Sequence, residues 1–536
     1  MSTLPTLTVA LLPLDERPVN TRYPEMLGAI AGVRVLLPPA AIRGVHKQGA
    51  DAAAVAAWLR SVLPEVDAVI ASVEYLLYGN LIQSRVSSDS AADVLPRLAV
   101  LEEAARAGKT VYAFGLLTRV SNADSDVEEP AYWARFGTRF YQFSQLVHKE
   151  EMIGTLDHGD REHLARLRAE LPPADVSDFL TRRLRNHAVN LALLDLVARE
   201  RLDLLLLTSD DTSVYGLPTR EKTWLESWIN LLGNGALPSN GALPSSGVRN
   251  RILMHPGADE VGSVLLCRLV AARRGVSPAV FPLYAVPGGE EIVAPYEDRP
   301  ARITVEAQIR ACGGRVADTI EAADIILGVT PPSPRRTEWR TGFADAERAE
   351  REPAYRAFLE TLAKHQKAGV PVAIADIAYP NGADPLLIEL LLSPGCPLSA
   401  AHLAAYGAWN TAGNTLGTTV AQAILSTLTD GEPAREPAQA RFLAHRFLED
   451  AGYQAEVRQA VRDALQARAG RRDPQTKDES EQSFVCQIIE AGLREQLSRL
   501  GGAGIGAGLQ VASGSVRLPW RRTFEVDFDL ITAPEE

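Results

Sequence analysis

Acidic side chains directly follow short apolar runs at several points of the chain, and they are the residues best suited to carry chemistry. The clearest case is the pair Asp210 and Asp211, which follows the run 204–207 and precedes Thr212. Neighbouring carboxyl groups repel each other, so one can hold its proton and act as a general acid while the other stays ionised. The pair would also suit a divalent metal ion, and its plain alternative is a helix cap beside a turn. We predict that both aspartates are catalytic.

A second acid pair, Asp259 and Glu260, follows His255 after a Pro-Gly turn. His255 and Asp259 have the chemistry of metal ligands or of an acid/base pair. Acids are also common at helix starts, where they compensate the helix dipole, and a single histidine is more often structural. We predict that Asp259 and Glu260 are catalytic and that His255 contacts the substrate.

Further polar residues cluster where other apolar runs end, and we assign them to substrate binding. Arginine binds carboxylate or phosphate groups in a bidentate manner, whereas amides and tyrosine rings suit a sugar. Two of these clusters also have plain structural alternatives: a salt bridge within the first loop, and Asn414 as a cap of a helix over 416–429. The predicted binding residues are Asp15, Arg17, Asn20, Glu74, Tyr75, Asn80, Arg119, His255, Asp376, Asn381, Asn410 and Asn414.

The elements that must position these residues alternate between strand-like and helix-like segments. Such alternation predicts an α/β fold of repeated βα units around a mainly parallel sheet, arranged either as a barrel or as two Rossmann-like halves. Ligands bind at the carboxyl ends of the strands in both arrangements. The predicted strands are 7–12, 33–37, 67–72, 110–115, 203–208, 251–255, 279–284, 323–329, 371–376 and 404–409.

We expect three regions: residues 1–200 as an N-terminal α/β region, 201–430 as a second α/β region that completes the site, and 431–536 as a helical tail with terminal strands. Helical spacing of apolar residues over 176–200 predicts an amphipathic helix. In the tail, three helical segments precede two final strands. These tail segments are 435–449, 454–468, 478–499, Val516–Trp520 and Thr523–Leu530.

Composition narrows the class of protein. The chain has 536 residues and a net charge of −12, which disfavours a nucleic-acid surface and an anionic membrane. No apolar run reaches the roughly 18 residues that span a bilayer, and the start of the chain lacks a secretory pattern, so we expect a cytoplasmic protein. The four cysteines show no paired spacing, which argues against disulfides and a zinc cluster. Nucleophile-elbow, zincin and P-loop motifs are missing too.

Several of these motifs together resemble a bacterial family of unknown function, DUF4127. The resemblance covers nearly the whole chain and implies a single full-length unit, but no activity and no catalytic residues. It rests on the segments Leu12–Asn20, Thr208–Asp211, Pro256–Glu260, Trp409–Asn414 and Leu518–Val526.

We therefore predict a hydrolase of a small polar substrate, most concretely a glycosidase-like enzyme that uses paired carboxylates and no cofactor. One alternative is a divalent-metal-dependent hydrolase or lyase, with ligands from Asp15, Asp210, His255, Asp259 and Asp376. The other is a non-catalytic binding protein for sugars or amino acids. The expected partner is a small molecule such as a sugar, without nucleic acid or membrane, and a homo-oligomer is compatible with the sequence.

Overall fold

The computed structural model describes residues 7–233, 245–339, 344–428, 435–470 and 475–533. Its strands form sheets of six, five and two strands, and the two larger sheets are entirely parallel. The strands are β1 (Thr8–Leu12), β2 (Arg34–Leu36), β3 (Ala68–Ser72), β4 (Thr110–Leu117), β5 (Leu204–Ser209), β6 (Ile252–Pro256), β7 (Ala279–Tyr284), β8 (Arg315–Val316), β9 (Ile325–Thr330), β10 (Val372–Asp376), β11 (Ala405–Gly407), β12 (Leu509–Val511) and β13 (Leu530–Thr532).

Helices connect the strands of each parallel sheet, as parallel pairing requires. The helices are α1 (Arg22–Ala31), α2 (Ala52–Val62), α3 (Val73–Tyr78), α4 (Leu81–Val86), α5 (Ala91–Val94), α6 (Ala99–Arg106), α7 (Trp133–Ile153), α8 (His158–Glu170), α9 (Pro173–Ala198), α10 (Leu217–Gly233), α11 (Ser245–Asn250), α12 (Val261–Arg274), α13 (Ala301–Ala311), α14 (Ala344–Lys367), α15 (Pro385–Leu391), α16 (Ala412–Thr427), α17 (Glu436–Arg446), a π-helix (Phe447–Val457), α18 (Arg458–Ala469) and α19 (Glu479–Gly501).

The predicted α/β fold is confirmed, and of the two arrangements left open the structure has two open sheets rather than one barrel. The six-stranded sheet has the order β2-β1-β3-β4-β5-β6, and the five-stranded sheet has the order β8-β7-β9-β10-β11. In both sheets, the three strands that come first in the sequence lie in the order second, first, third, counted from one edge. In such doubly wound sheets a crevice opens beyond the strand ends where the order reverses, which is between β1 and β3 in the first sheet.

All ten predicted strands are present, and only the two-residue strand β8 was missed among those of the parallel sheets. The reason is visible in β5, whose residues Leu204–Ser209 are all buried. A strand covered on both faces has a continuous apolar sequence, which stands out from the amphipathic helices around it.

The chain divides into two compact units, each built on one parallel sheet. Unit 1 contains Met1–Glu16, Arg34–Gly262 and Tyr296–Asp298, and unit 2 contains Arg17–Val33, Ser263–Pro295 and Arg299–Glu536. The predicted boundary at residue 200 falls inside unit 1, because β5 and β6 continue the sheet beyond β4.

The C-terminal region of unit 2 is helical, as predicted, but two details differ. The stretch 447–457 is a π-helix, a rare form found frequently at functional sites. The final strands are β12 and β13, and the predicted segments 516–520 and 523–530 are joined by an isolated antiparallel bridge between Arg517 and Asp527. Pro519 lies in a 3-10 turn in which Trp520 and Arg521 have positive φ values of 53° and 55°, so the extended backbone breaks there.

Among the described residues, the helices are all too short or too polar to cross a membrane.

Candidate functional site

The carboxyl ends of the strands in unit 1 bring many of the predicted site residues to one edge of the six-stranded sheet. Asp15 follows β1, Glu74 follows β3, Arg119 follows β4 and Asp210 follows β5, while His255 lies near the end of β6. Because neighbouring strands are parallel, their carboxyl ends share this edge. These five residues therefore follow or lie near strand ends at one edge of the six-stranded sheet.

Asp210 and Asp211 are each held by an arginine. Arg85 on α4 donates a hydrogen bond to Asp210 Oδ2, and Arg119 Nη1 donates one to Asp211 Oδ2 at 3.0 Å. The helix that follows, α10, begins only at Leu217, so these aspartates do not form the helix cap considered as their alternative role.

Two glutamates of the loop after β4 complete this cluster. Glu128 lies 3.2 Å from Arg85 and 2.9 Å from Arg119, and Glu129 lies 3.5 Å and 3.3 Å from the same arginines. Four carboxyl groups therefore share two guanidinium groups, which leaves the cluster short of positive charge when all four are ionised. We call Arg85, Arg119, Glu128, Glu129, Asp210 and Asp211 the arginine-carboxylate cluster.

The two aspartates titrate differently because their surroundings differ. Burial would raise the pKa of Asp210, but the charges of Arg85 and Arg119 outweigh burial and leave it below its ordinary value. Burial raises the pKa of Asp211; Arg119 opposes this shift and the charge of Asp210 adds to it. The side chain of Asp211 is 35% exposed and that of Asp210 is 11% exposed. The more accessible carboxyl is thus the one that retains its proton more readily.

Glu74 is a further carboxyl group, outside the cluster, whose pKa the charge of Asp210 affects. Its Oε1 accepts a hydrogen bond from the Leu116 amide at 2.8 Å, and Ser72 Oγ donates to its Oε2 at 3.4 Å. Burial raises the pKa of Glu74 to about 7, and the charge of Asp210 contributes in the same direction. A carboxyl group with this pKa can exchange a proton near neutral pH.

Tyr75 lies next to Glu74 at the crevice between β1 and β3. Burial raises its pKa; Arg43 opposes the shift, whereas Glu16 and Asp15 add to it. The side chain is buried, and its hydroxyl has no hydrogen-bond partner within the described part of the chain. The residues predicted at the ends of β1 and β3 therefore interact electrostatically.

The second predicted acid pair is less accessible than the first. His255 Nδ1 lies 3.5 Å from Glu260 Oε1, and both side chains are almost fully buried. Asp259 and Glu260 come directly before α12, in agreement with their alternative role at a helix start. Asn80 also has a structural role, because its side chain caps α4 and donates to the carbonyl oxygen of His46 at 2.7 Å.

A pocket adjoins the arginine-carboxylate cluster in unit 1. Its cavity volume is about 30 Å³, and Arg85, Arg119 and Glu129 line it together with the aromatic side chains of Tyr132 and Trp133. Arg85 Nε is buried and lacks a hydrogen-bond partner in the part of the chain that the structure describes. The cluster thus borders a small cavity with room for about one water molecule.

The remaining predicted residues belong to unit 2. Asp376 ends β10, and its carboxylate accepts hydrogen bonds from Thr330 Oγ1 at 2.5 Å and from the Asp384 amide at 2.6 Å. Burial raises the pKa of Asp376 to about 7, and Asp384 adds to the shift. Asp384 accepts a hydrogen bond from the Leu386 amide at 3.1 Å, so it caps α15. These contacts give both carboxyl groups a structural role in their loop.

The predicted asparagines of unit 2 lie mainly in turns. Asn381 and Asn410 both have a φ of 61°. The backbone amide of Asn381 donates to the backbone carbonyl oxygen of Asn410 at 2.9 Å. Asn414 lies in the first turn of α16, whose cap is Thr411 and not Asn414.

Arg17 and Asn20 lie in the turn before α1. The backbone amide of Asn20 donates to the Arg17 carbonyl oxygen at 3.0 Å. The Arg17 guanidinium lies 4.7 Å from the ring centre of Trp520. The aromatic contact occupies one face of the guanidinium that was predicted to bind an acidic group.

A family model for DUF4127, described as a protein of unknown function, matches residues 9–529. The chain belongs to this family. No curated protein matches it. The match confirms the predicted resemblance over nearly the full length of the DUF4127 chain, and it assigns no activity.

The sequence analysis missed two features of this DUF4127 chain. The first is the contact of Arg85, Glu128 and Glu129 with the two aspartates, although the arginine after Asn80 and the acid pair after β4 are visible in the sequence. The second is a buried network on the π-helix of unit 2. There Glu449 Oε2 accepts a hydrogen bond from Tyr23 at 2.5 Å, and Asp450 Oδ2 accepts one from Arg446 at 2.6 Å.

The described residues of the DUF4127 chain contain no group of three histidine, cysteine, aspartate or glutamate side chains placed to hold a metal ion.

Proposed function

We propose that the protein is a hydrolase of a small polar substrate, most concretely a glycoside, with Asp211 as general acid and Asp210 as its ionised partner. The observation that carries the proposal is the split between the two carboxyl groups. The pKa of Asp211 is raised and its side chain is 35% exposed, whereas the pKa of Asp210 is lowered by Arg85 and Arg119. Enzymes that cleave glycosidic bonds need one protonated and one ionised carboxyl group.

In the proposed reaction, Asp211 donates its proton to the oxygen of the departing group as the carbon–oxygen bond breaks. Positive charge develops on the sugar carbon, and ionised Asp210 stabilises this charge. Water then adds to the carbon and returns one proton to the carboxylate of Asp211, which restores the starting state. Asp259 and Glu260 are less suitable as partners, since Glu260 is fully buried and Asp259 nearly so.

The wall of the neighbouring pocket offers groups that suit a sugar. Its cavity volume of about 30 Å³ has room for about one water molecule, so a sugar would bind at its mouth or displace side chains that line it. Aromatic side chains in its wall suit the apolar face of a sugar ring, and the Nε–H of Arg85 suits a hydroxyl oxygen.

The alternatives remain a divalent-metal-dependent hydrolase or lyase and a non-catalytic binding protein. No observation on the described residues favours a particular metal site. The binding protein is the stronger alternative, because a pocket lined with arginine and aromatic side chains suits recognition without turnover as well. The cytoplasmic location stays a prediction.

A screen of chromogenic glycosides tests the proposal. The purified protein is assayed with and without added divalent cations, in parallel with elemental analysis. We expect release of the chromophore from at least one glycoside, at the same rate after treatment with a chelator. Failure on every glycoside, together with stoichiometric bound metal, would replace the proposal by the metal-dependent alternative.

A further inference from the structure

Unit 1 carries an exposed apolar face on two adjacent helices. Large apolar side chains are exposed by 42% to 69% at positions of α9 and α10. We call this set the α9–α10 face; its residues are Leu180 (42%), Leu184 (69%), Trp224 (42%), Trp228 (53%) and Leu231 (54%).

Two groups of side chains make up this face, one on each helix. Trp224, Trp228 and Leu231 have the spacing i, i+4, i+7 on α10, so they lie on one side of that helix. Leu180 and Leu184 are one turn apart on α9. The ring of His187, one turn further along α9, contacts Trp224 at a centroid distance of 5.7 Å.

A pair of hydrogen bonds fixes the two helices side by side. Arg183 Nε and Nη2 on α9 both donate to the Glu221 carboxylate on α10, at 2.8 Å each. Both partners are largely buried, so this link is well shielded from water. The α9–α10 face is therefore a fixed surface rather than two independent helix faces.

The fold does not need these side chains for its own core. On α9 the buried apolar residues include Val189 and Leu193, and on α10 Leu225 and Ile229 are buried. Each helix thus buries one side against the sheet and exposes a second apolar side. Leu180 and Leu184 follow the helical spacing of the apolar residues of α9, and the structure places both at the surface.

We infer that the α9–α10 face binds the same face of a second copy of this chain, forming a two-fold dimer. If a large apolar side chain presents about 200 Å², the exposed fractions amount to roughly 500 Å². A standard interface buries about 800 Å² per partner, and about 65% of a homodimer interface is apolar, which also gives roughly 500 Å². The face therefore supplies the apolar part of one dimer interface.

The charge distribution favours a second copy as the partner. The chain has a net charge of −12, so like charges across a contact surface would oppose association of two copies. The exposed positions of α10 between 223 and 231 carry no charged residue; they are Thr223, Trp224, Ser227, Trp228, Asn230 and Leu231. Trp228 lies in the middle of this row, and central tryptophans contribute most to such interfaces.

Sedimentation velocity of the full chain at about 1–100 μM tests the inference, a range that covers micromolar dissociation constants. The wild type should sediment as a dimer, and Trp228→Glu should sediment as a monomer, with the dissociation constant raised by at least about 100-fold. The control is Val276→Glu, which places the same charge at a 40% exposed apolar residue that follows α12 in unit 2 and should leave the dimer intact.

Circular dichroism and thermal unfolding establish that each variant is folded. If Trp228→Glu does not fold, Leu184→Lys replaces it, since Leu184 is the most exposed residue of the face. A monomeric wild type over the whole range would overturn the inference. So would dimers that persist in folded Trp228→Glu or Leu184→Lys.

Discussion

At the scale of single residues, the arginine-carboxylate cluster explains how two adjacent aspartates can differ in protonation. Arg85 faces Asp210 and is almost completely buried, so its charge acts on that carboxylate with little screening by solvent. Asp211 is more exposed and accepts a hydrogen bond from Arg119. Buried carboxyl groups of this kind give two testable consequences, one for pH and one for stability.

Glu74 should make the stability of unit 1 depend on pH. Its pKa is about 7 in the folded protein and about 4.5 in the unfolded chain, so between these values the folded state binds the additional proton. The free energy of unfolding should therefore fall as the pH rises from about 4.5 to 7, by roughly 3 kcal/mol from this residue. Chemical unfolding of Glu74→Gln across this range should show a smaller fall than the wild type.

The control for this prediction is Glu162→Gln, at a glutamate whose side chain is 63% exposed. It should follow the wild-type pH dependence. If the stability of Glu74→Gln and of the wild type depended on pH in the same way, Glu74 would have the same pKa in the folded and unfolded states.

Arg85 should be essential for stability because three carboxyl groups depend on it. Arg85→Met leaves Asp210, Glu128 and Glu129 with less compensating charge in a buried place, which should cost roughly 3–5 kcal/mol in urea unfolding. The double variant Arg85→Met/Asp210→Asn should recover part of this loss. Arg60→Met, at an exposed ion pair with Glu103, should cost less than about 1 kcal/mol. Equal losses for Arg85 and Arg60 would contradict the account.

At the scale of elements, the strands were predictable and the connections between them were not. Continuous apolar runs identify buried parallel strands such as β5, because few other elements need such a sequence. The π-helix 447–457 was not recognised, and it spans the gap left between the predicted helices 435–449 and 454–468. The cluster residues Arg85 and Glu129 come from a helix and a loop whose positions depend on tertiary packing, so their approach to Asp210 was not visible in the sequence.

Gly257 should be required by the loop between β6 and α12. Its φ is +117°, where side chains are strained, and a Cβ atom there would collide with the carboxyl group of Glu260. Gly257→Ala should therefore lower the free energy of unfolding by more than about 2 kcal/mol. Gly275→Ala is the matched control, because Gly275 also has a positive φ but no heavy atoms within 4 Å of its Cβ position. Equal losses in the two variants would mean that the contact with Glu260 carries no cost.

At the scale of the whole molecule, the two compact units are not consecutive pieces of chain. Residues 17–33 follow β1 yet belong to unit 2, and residues 296–298 belong to unit 1. Sequence analysis divides a chain into consecutive regions. The predicted boundary at residue 200 therefore does not coincide with a boundary of the observed units. The fold class was nevertheless predictable, because alternating strands and helices identify a parallel sheet independently of such crossings.

A fragment of residues 1–200 should consequently not fold by itself. It lacks β5 and β6, and the core of unit 1 includes Leu205, Leu207 and Ile252 from these strands. The fragment should show no cooperative thermal unfolding by circular dichroism, whereas the full chain should. Cooperative unfolding of the fragment would show that β1–β4 form an independent domain.

The central claim is that Asp211 transfers a proton, and substrate turnover compared with substrate affinity in Asp211→Asn tests it most directly. On the best glycoside from the screen, the variant should lose turnover by about 10²–10⁴-fold while its dissociation constant stays within about threefold of the wild type. Asp195→Asn, at a 60% exposed aspartate of α9, should leave both values unchanged. Turnover by Asp211→Asn at the wild-type rate would contradict the account.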